Sequence, residues 1–328
     1  MYVRTKSIKK MNLEGKKILL TGGAGFVGSN IAQQLLDYGA HVCVLDNLFT
    51  GFEKFVPKHK NLIFINGDVE DSDLVDSLVK EYKFIIHAAA KNIIASTKNP
   101  YDDYKTNIGG TLNLLMSAKK YGVDKFVYVG SASVYGNSKI LPVSEDSPLY
   151  TLTPYATSKL AGENYCISFY ESYNLPISIV RYSNVFGTNQ DPSNPYCGVV
   201  SKFFDWAMKG EDITIHGNGE QTRDFTFVQD AVDATIEVLI NPKSIGQIYN
   251  SGSGFETSIN NLAVKVIEIT NSKSKILKID KRDIDNIRRR SVNIENIRRS
   301  LRWGPKYTLE DGLKLTYEWM RNQSDLQI

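Results

Sequence analysis

One glycine-rich segment near the start of the chain constrains its fold most strongly. TGGAGFVG at 21–28 follows an apolar strand pattern at 16–23 and opens a helical pattern at 26–38. The first glycines permit a tight turn, Gly25 lets the backbone approach a pyrophosphate, and Gly28 lets the helix pack on the strand. The helix N-terminus supplies unpaired N–H groups and a partial positive charge. The segment therefore predicts a strand–turn–helix unit that binds a dinucleotide.

The second predicted strand, at 41–46, ends on a carboxylate that bears on which dinucleotide is bound. Asp46 stands about 20 residues after the last glycine, where a carboxylate can accept hydrogen bonds from both ribose hydroxyls. It would repel a 2′-phosphate, and Asn47 follows it rather than an arginine. We therefore expect NAD rather than NADP as the cofactor. Asp68, at the end of the third strand, is a weaker candidate because aspartates often cap turns.

Short apolar runs alternate with longer amphipathic runs through the first half of the chain, which is typical of βαβ units around a parallel sheet. Strands are predicted at 16–23, 41–46, 62–68, 83–90, 125–131 and 177–187, and helices at 26–38, 70–81, 105–121 and 154–173. After Gly187 this alternation is replaced by TNQDPSNPYCG. Later helices are predicted at 198–209, 229–240, 258–269, 293–300 and 308–322, and later strands at 213–217 and 247–253.

The fold class that follows is α/β: a Rossmann-type doubly wound parallel sheet with a smaller C-terminal α/β substrate-binding region. We assign 16–187 to the NAD-binding domain, with elements at about 226–254 returning to its sheet. The substrate-binding region comprises 188–225 and 255–322, and residues 1–15 form a tail.

Composition excludes several classes of function. The 328 residues carry a net charge of +3, which is too small to indicate a nucleic-acid partner or a membrane surface. No apolar run approaches the roughly 18 residues needed to cross a bilayer. Three widely spaced cysteines form neither a disulfide framework nor a metal site, and they indicate a reducing cytoplasm. The basic run at 281–302 is either a solvated face or an anion site.

A tyrosine and a lysine four residues apart share a helix face, so that the ammonium can stabilise a phenolate and make it a usable base. The spacing occurs five times, at Tyr2/Lys6, Tyr101/Lys105, Tyr121/Lys125, Tyr135/Lys139 and Tyr155/Lys159. Only Tyr155 and Lys159 lie in a predicted helix start, with Thr153 as N-cap and Pro154 in the first turn. They also follow a strand that ends near Ser131, where side chains point toward a bound cofactor. We therefore select this pair as catalytic.

At this point the chain resembles the extended short-chain dehydrogenase/reductases, and within them the nucleotide-sugar epimerases related to UDP-glucose 4-epimerase, over about 16–322. The motifs that carry the likeness are TGGAGFVG, Asp46, GDVED at 67–71, HAAA at 87–90, NIGGTLNLL at 107–115, SASVYG at 131–136, PYATSK at 154–159, RYSNVFG at 181–187, RDFTFVQD at 223–230 and LRWGPKYTLEDGL at 301–313. The resemblance implies Tyr155 as the base, Lys159 bonded to the nicotinamide ribose, and Ser131 bonded to the reacting sugar hydroxyl.

The same resemblance implies the remaining site residues. Cofactor contacts are expected from Gly22, Gly25, Phe26, Val27, Asp46, Asn47, Asp68, Val69, Ala88, Ala89, Lys91, Asn107, Tyr155 and Lys159. Substrate contacts are expected from Ser131, Ser133, Tyr155, Asn184, Val199, Arg223, Arg282 and Arg290, with a looser match at 201–203. Arg223 either binds the diphosphate or pairs with Asp224. A second diphosphate arginine is either Arg282 or Arg290, because a one-residue gap leaves the register open.

Two departures from related enzymes indicate the reaction. Sugar 4,6-dehydratases carry Asp-Glu, and related decarboxylases keep the Glu, where this chain has Ala132 and Ser133. Elimination of water therefore lacks the acid and the base that it requires, whereas 4-epimerisation requires neither of these two residues and uses Tyr155 alone. We expect interconversion of UDP-glucose and UDP-galactose through a 4-keto sugar. The alternatives are another nucleotide sugar such as UDP-glucuronate or a UDP-N-acetylhexosamine, a dehydratase or reductase, and a non-catalytic NAD-binding scaffold.

Three further expectations concern specificity and assembly. Asn189 stands where some uronate enzymes carry Arg, which argues against an acidic sugar. The resemblance implies that the residue which limits sugar size falls near 289–291, and a large arginine there would exclude N-acetyl sugars. The helices at 105–121 and 154–173 form the dimer interface in relatives, so a homodimer is expected.

Overall fold

A computed structural model describes residues 13–282 and 286–325 of the chain. Most of the predicted tail, including Tyr2 and Lys6, lies outside these residues. The helices are α1 (Phe26–Asp37), α2 (Ser72–Val79), α3 (Ile93–Lys98), α4 (Pro100–Asp103), α5 (Thr111–Tyr121), α6 (Pro154–Tyr173), α7 (Val199–Lys209), α8 (Val228–Ile240), α9 (Ile259–Thr270), α10 (Glu295–Leu301) and α11 (Leu309–Asp325). No helix within these ranges has the length and apolarity to cross a bilayer.

The strands are β1 (Lys17–Thr21), β2 (His41–Asp46), β3 (Leu62–Asn66), β4 (Phe84–His87), β5 (Lys125–Ser131), β6 (Ile177–Tyr182), β7 (Asn184–Phe186), β8 (Ile213–His216), β9 (Thr222–Arg223), β10 (Phe225–Phe227), β11 (Ile248–Ser251), β12 (Thr257–Ser258) and β13 (Ile276–Ile279). Seven of them form one parallel sheet in the order β3-β2-β1-β4-β5-β6-β11. The strand order reverses between β1 and β4, which is where doubly wound sheets bind ligands. The α/β, Rossmann-type prediction is confirmed.

Both faces of this sheet are covered by helices, because its strands are apolar on both sides. Ile18 and Leu20 of β1 join the core that contains α1 and α8 residues, and Leu19 joins the opposite core, which contains α2, α5 and α6 residues. Such two-sided burial is expected for parallel strands. It leaves the carboxyl edge of the sheet as the surface on which loops build a site.

The structure departs from the predicted elements in several places, including the short elements α3, β9, β10 and β12, which the sequence did not predict. The run 177–187 is two strands, because the chain leaves the large sheet at Ser183, whose N–H donates to the Ser251 carbonyl, and β7 then pairs with β10. The first part of the helix expected at 105–121 is a π-helical segment, Tyr104–Gly110, and only Thr111–Tyr121 is the α-helix α5. The short helix α4 comes directly before the π-helical segment. Strand β13, which pairs with β8, was not predicted from the sequence.

Candidate functional site

A cavity of about 790 Å³ lies at the carboxyl edge of the large sheet and extends toward the C-terminal region. Its lining contains every predicted cofactor and substrate residue except Asn107. The fold thus brings together residues that are as far apart in the chain as Gly22 and Arg290. Their individual contacts with ligands remain predictions, and the geometry below shows what each is placed to do.

The glycine-rich turn has the conformation that the sequence argument requires. Gly22 adopts a φ of +73°, which favours glycine, and a Cβ on Gly28 would stand only 2.0 Å from the Gly22 carbonyl oxygen. A Cβ on Gly25 would meet only that same oxygen within 4 Å, so its other side is open toward the cavity. Gly28 therefore allows close packing of the turn, and Gly25 allows close approach of a ligand.

The N-terminus of α1 faces this opening. It has no side-chain cap and no acidic residue in its first turn, and Phe26, Val27 and Gly28 line the cavity. The unpaired N–H groups and the helix dipole suit a pyrophosphate. Asp46 ends β2 beside them, where its carboxylate accepts from the backbone N–H groups of Ala24 at 2.9 Å and Leu48 at 2.8 Å. Burial raises the pKa of Asp46. These features fit a dinucleotide whose ribose reaches Asp46.

Asn107 supports the cavity wall from behind. It is only 2% exposed, its Oδ1 accepts from the Lys91 N–H at 2.8 Å, and its Nδ2 donates to the Lys91 carbonyl at 3.1 Å. Nδ2 also lies near Asp103 and Ser158. Asn107 thus orders the loop that carries Lys91, which lines the cavity, and a direct contact between Asn107 and the cofactor stays a prediction.

The predicted catalytic group, Ser131, Tyr155 and Lys159, lines the cavity. Helix α6 begins as expected, with the Thr153 hydroxyl accepting from the Ala156 N–H at 3.2 Å. Tyr155, on its first turn, is half-buried and lies close to Ser131, whose hydroxyl lowers the pKa of the phenol. Ser131 Oγ also accepts from the Ser133 N–H at 3.1 Å, which orients that hydroxyl. The structure therefore places the proposed base next to the proposed sugar contact.

The titration of this group differs from the sequence argument, which expected a lysine to lower the phenol pKa. Burial raises the pKa of Tyr155, and the Ser131 hydroxyl and the Arg290 charge oppose that rise. Burial also lowers the pKa of Lys159 to about 8, and its ammonium lies 4.3 Å from the centroid of the Tyr128 ring. For both groups, the cost of burying the charged form has a larger effect on the pKa than the nearby opposite charges do.

Arg290 lines the same cavity, and its charge acts on Tyr155. Its side chain is 7% exposed, and its Nη1 lies 3.5 Å from the hydroxyl of Ser133. Burial, followed by the charge of Arg223, lowers its pKa to about 9. Among residues 13–282 and 286–325, its Nε and Nη2 have no hydrogen-bond partner, and neither has the buried Oδ1 of Asn184. Unpartnered buried donors in a cavity wall indicate a place where a ligand binds.

The other predicted substrate residues also reach the cavity. Arg223 lies in β9 and lines the wall, while the carboxylate of its neighbour Asp224 accepts from Ser253, Gly254 and Val292. Asp224 is thus held by the loops around it. Arg282 lines the cavity from an exposed position. Lining residues that sequence reasoning missed are Phe49, Tyr196, Trp206, His216 and Gln221.

Two looser expectations, the match at 201–203 and the position of Asn189, are met by the cavity lining only in part. Lys202 and Phe203 line the cavity, whereas Ser201 is buried and donates to the Gln190 carbonyl at 2.6 Å. Asn189 is outside the lining and donates to the Ser29 hydroxyl at 3.0 Å. Asn189 therefore does not face the cavity in this structure, and the expectation drawn from it about the charge of the sugar stays a prediction.

Comparison with known proteins gives consistent matches along the chain. A family model described as the NAD dependent epimerase/dehydratase family matches residues 18–252. The structure of the epimerase Mth375 of Methanothermobacter thermautotrophicus has a TM-score of 0.93 at 35% identity, covering 96% of this chain and 94% of that one. UDP-glucose 4-epimerase of Thermotoga maritima, solved with UDP-glucose, has a TM-score of 0.90 at 33% identity, covering 94% and 99%. A UDP-N-acetyl-alpha-D-glucosaminuronate decarboxylase of Bacillus cytotoxicus is 33% identical, covering 93% and 98%.

Proposed function

The chain belongs to the NAD-dependent epimerase/dehydratase family, and from this premise we propose that it epimerises a UDP-hexose at C4 through a 4-keto intermediate. The two sugar nucleotides that the sequence predicts as substrate and product are UDP-glucose and UDP-galactose. NAD is the cofactor of the family, and Gly25, the first turn of α1 and Asp46 are placed to hold it. When bound, it accepts the C4 hydride and returns it.

The residues of this chain move the proton that accompanies the hydride. Tyr155 takes the proton of the C4 hydroxyl while Ser131, which lies close to it, holds the sugar oxygen. Lys159, buried one turn further along α6, carries a positive charge below its pKa of about 8, and that charge favours the phenolate. Reversal of these transfers on the other face of the sugar gives the epimer without net oxidation.

One observation supports epimerisation over elimination. Among the cavity-lining residues in the described ranges, the carboxylates are Asp46 and Asp68, and both lie at the strand ends next to the dinucleotide turn. The positions beside Ser131 are Ala132 and Ser133. Removal of water from the 4-keto sugar requires an acid and a base at neighbouring carbons. The sugar end offers hydroxyl and guanidinium groups instead.

The experiment that tests the proposal measures product mass. The purified protein is incubated with NAD and a panel of UDP-hexoses, and the products are separated and weighed by mass spectrometry, with Tyr155→Phe as the inactive control. We expect an isomer of equal mass and no accumulation of NADH at 340 nm. A product lighter by water would identify a dehydratase, a stoichiometric change in NADH a reductase, and no turnover of any nucleotide sugar a scaffold.

We further propose that Arg223 and Arg282 hold the diphosphate of the substrate. Both line the cavity, on strand β9 and on the segment that follows β13. A guanidinium presents a planar fork of donors that matches paired phosphate oxygens. Loss of either one should weaken binding of UDP itself, measured by calorimetry, as strongly as binding of the whole nucleotide sugar.

Finally, we propose a homodimer formed through α5 and α6. These helices expose apolar side chains that a monomer leaves in water, among them Met116 at 54%, Ile167 at 37% and Tyr173 at 49% exposure. Light scattering should give the mass of two 36.8 kDa chains, and Ile167→Glu should halve it.

The three free cysteines, two of them buried, fit the predicted cytoplasmic compartment.

A further inference from the structure

The environment of Arg290 is unusual for a cation. The side chain is 7% exposed, and in the part of the chain that the structure describes its Nε and Nη2 have no partner, while Nη1 only approaches the Ser133 hydroxyl at 3.5 Å. Burial of a charged group is costly unless an opposite charge or hydrogen bonds compensate. Here the compensation within the described chain is incomplete: the largest charge effect on Arg290 comes from Arg223, which has the same sign, and the opposing effect of Asp224 is smaller. An anion from outside the chain would complete this site.

The position of Arg290 is built into the fold. The Val143 N–H donates to the carbonyl of Ser291 at 2.9 Å, and the Val292 N–H donates to the carboxylate of Asp224 at 3.1 Å. These bonds fix Ser291 and Val292, the two residues that follow Arg290, against Val143 and Asp224. The carboxylate of Asp224 also accepts from Ser253 and Gly254, so it is shared among several donors. Arg290 therefore points into the cavity from a rigid backbone.

The location within the cavity identifies the part of the ligand that Arg290 meets. Its charge acts on Tyr155, the residue assigned to the C4 hydroxyl, and its Nη1 faces Ser133, two residues after Ser131. In a hexose, C6 is bonded to C5 and stands two bonds from C4. The two ring carbons bonded to C4 are C3, which carries a hydroxyl, and C5, which carries C6. Of these two neighbouring positions, C6 is the one that a hexose can carry as an anionic carboxylate.

We propose that the hexose of the substrate carries a carboxylate at C6, so that it is a nucleotide-linked uronic acid, and that Arg290 binds this carboxylate through its unpartnered nitrogens. The inference rests on the proposed epimerase function and names its substrate class. A guanidinium and a carboxylate form two parallel hydrogen bonds, which also orient the ring. This acidic substrate replaces UDP-glucose and UDP-galactose, the neutral sugar nucleotides expected from the sequence.

Oxidation at C4 makes such a sugar a β-keto acid, which can lose carbon dioxide. In that loss the C5–C6 bond breaks, its electron pair forms an enolate at C4 and C5, and the negative charge leaves the carboxyl group. Arg290 stabilises that charge on the carboxylate before bond breaking and so opposes the loss. With hydride returned to C4, the expected product keeps its carboxylate and has the mass of the substrate.

The test compares UDP-glucuronate with UDP-glucose as substrates of the wild type, Arg290→Gln and Arg289→Gln. Arg289 is a matched control because it is adjacent, 64% exposed and paired with Glu256. We expect the wild type to have the larger kcat/KM for UDP-glucuronate. Arg290→Gln should lose about 100-fold for UDP-glucuronate, at least tenfold more than it loses for UDP-glucose. Arg289→Gln should keep the wild-type ratio, and calorimetry with UDP alone measures the diphosphate site separately.

The possible results separate this inference from the proposed function. Equal losses on both sugars and on UDP binding would assign Arg290 to the diphosphate and overturn the inference. Turnover of UDP-glucose with UDP-glucuronate inert would also overturn it while leaving the epimerase proposal intact. Conversion of UDP-glucuronate to a UDP-pentose with loss of carbon dioxide would support the acidic substrate and refute epimerisation. If Arg290→Gln does not fold, the wild-type preference and Arg290→Lys still decide the question.

Discussion

A buried ion pair joins the catalytic helix to the central sheet, and its removal makes a quantitative prediction. Glu163 lies one turn beyond Lys159 on α6 and is 1% exposed, and Arg181 of β6 is 2% exposed. Arg181 donates to the Glu163 carboxylate through Nε at 3.0 Å and through Nη2. Its Nη1 donates to the Tyr135 hydroxyl at 2.6 Å, which in turn donates to Asn250 at 2.7 Å.

The perturbation is Glu163→Gln, which keeps the shape of the side chain and removes its charge. Both carboxylate oxygens accept from the guanidinium, so one of the two bonds becomes a contact between donors and Arg181 loses its counter-charge. Breaking a buried pair in this way costs about 3–5 kcal/mol, a large fraction of the roughly 5–15 kcal/mol by which a folded domain is stable. The double variant Glu163→Gln/Arg181→Met should recover part of that loss.

The assay is urea denaturation of wild type, Glu163→Gln, Arg181→Met and the double variant, followed by tryptophan fluorescence and circular dichroism at pH 7. We expect each single variant to lose about 3–5 kcal/mol and the cycle to show strong coupling between the two positions. A loss below about 1 kcal/mol for Glu163→Gln, or simple additivity in the double variant, would refute the reasoning.

Three further predictions concern single residues. Tyr155→Phe should fold and bind NAD yet lose roughly 10²–10⁴-fold in turnover, because it removes a positioned base; turnover near the wild-type value would remove Tyr155 from the mechanism. Asp46→Asn should weaken NAD binding by roughly 10-fold, measured by calorimetry, since it replaces a charged acceptor by a neutral one; unchanged affinity would place the ribose elsewhere. Burial lowers the pKa of Lys125 to about 7, so between pH 7 and about 10 the unfolded chain holds a proton that the folded chain lacks, and stability rises with pH by about 1.4 kcal/mol per unit. Lys125→Met should lack that rise in urea denaturation at pH 7, 8 and 9; parallel curves for the two proteins would contradict it.

Local chemistry explains what could be predicted from the sequence. The turn around Gly22, the strand that ends on Asp46 and the helix that begins at Pro154 each depend on residues that are close together in the chain. Their backbone requirements can therefore be read from one short segment, and the structure has the turn, the strand and the helix start at those positions. The parallel sheet follows from repetition of the same unit.

Contacts between distant segments explain what could not. The choice between Arg282 and Arg290 depended on an alignment gap, and only the packing of 290–293 against Val143 and Asp224 places Arg290 near Tyr155. The role of Asn107 depends on the Lys91 loop, 16 residues away.

Pairing with remote strands also decides the local structure of two segments. The separate strands β6 and β7 arise because Ser183 and Asn184 meet Ser251 and Asp224. Strand β13 forms by pairing with β8, a partner that its own residues do not reveal.

The central claim is that hydrogen leaves C4 of the sugar and returns to the same carbon of the same molecule. The most direct measurement uses UDP-hexose and UDP-hexuronate deuterated at C4, incubated in ordinary water with the protein and NAD, with products analysed by NMR and mass spectrometry. The account predicts a C4 epimer of unchanged mass that retains its deuterium. An epimer that has exchanged the deuterium for solvent hydrogen, or deuterium that accumulates in released NADH, would contradict it.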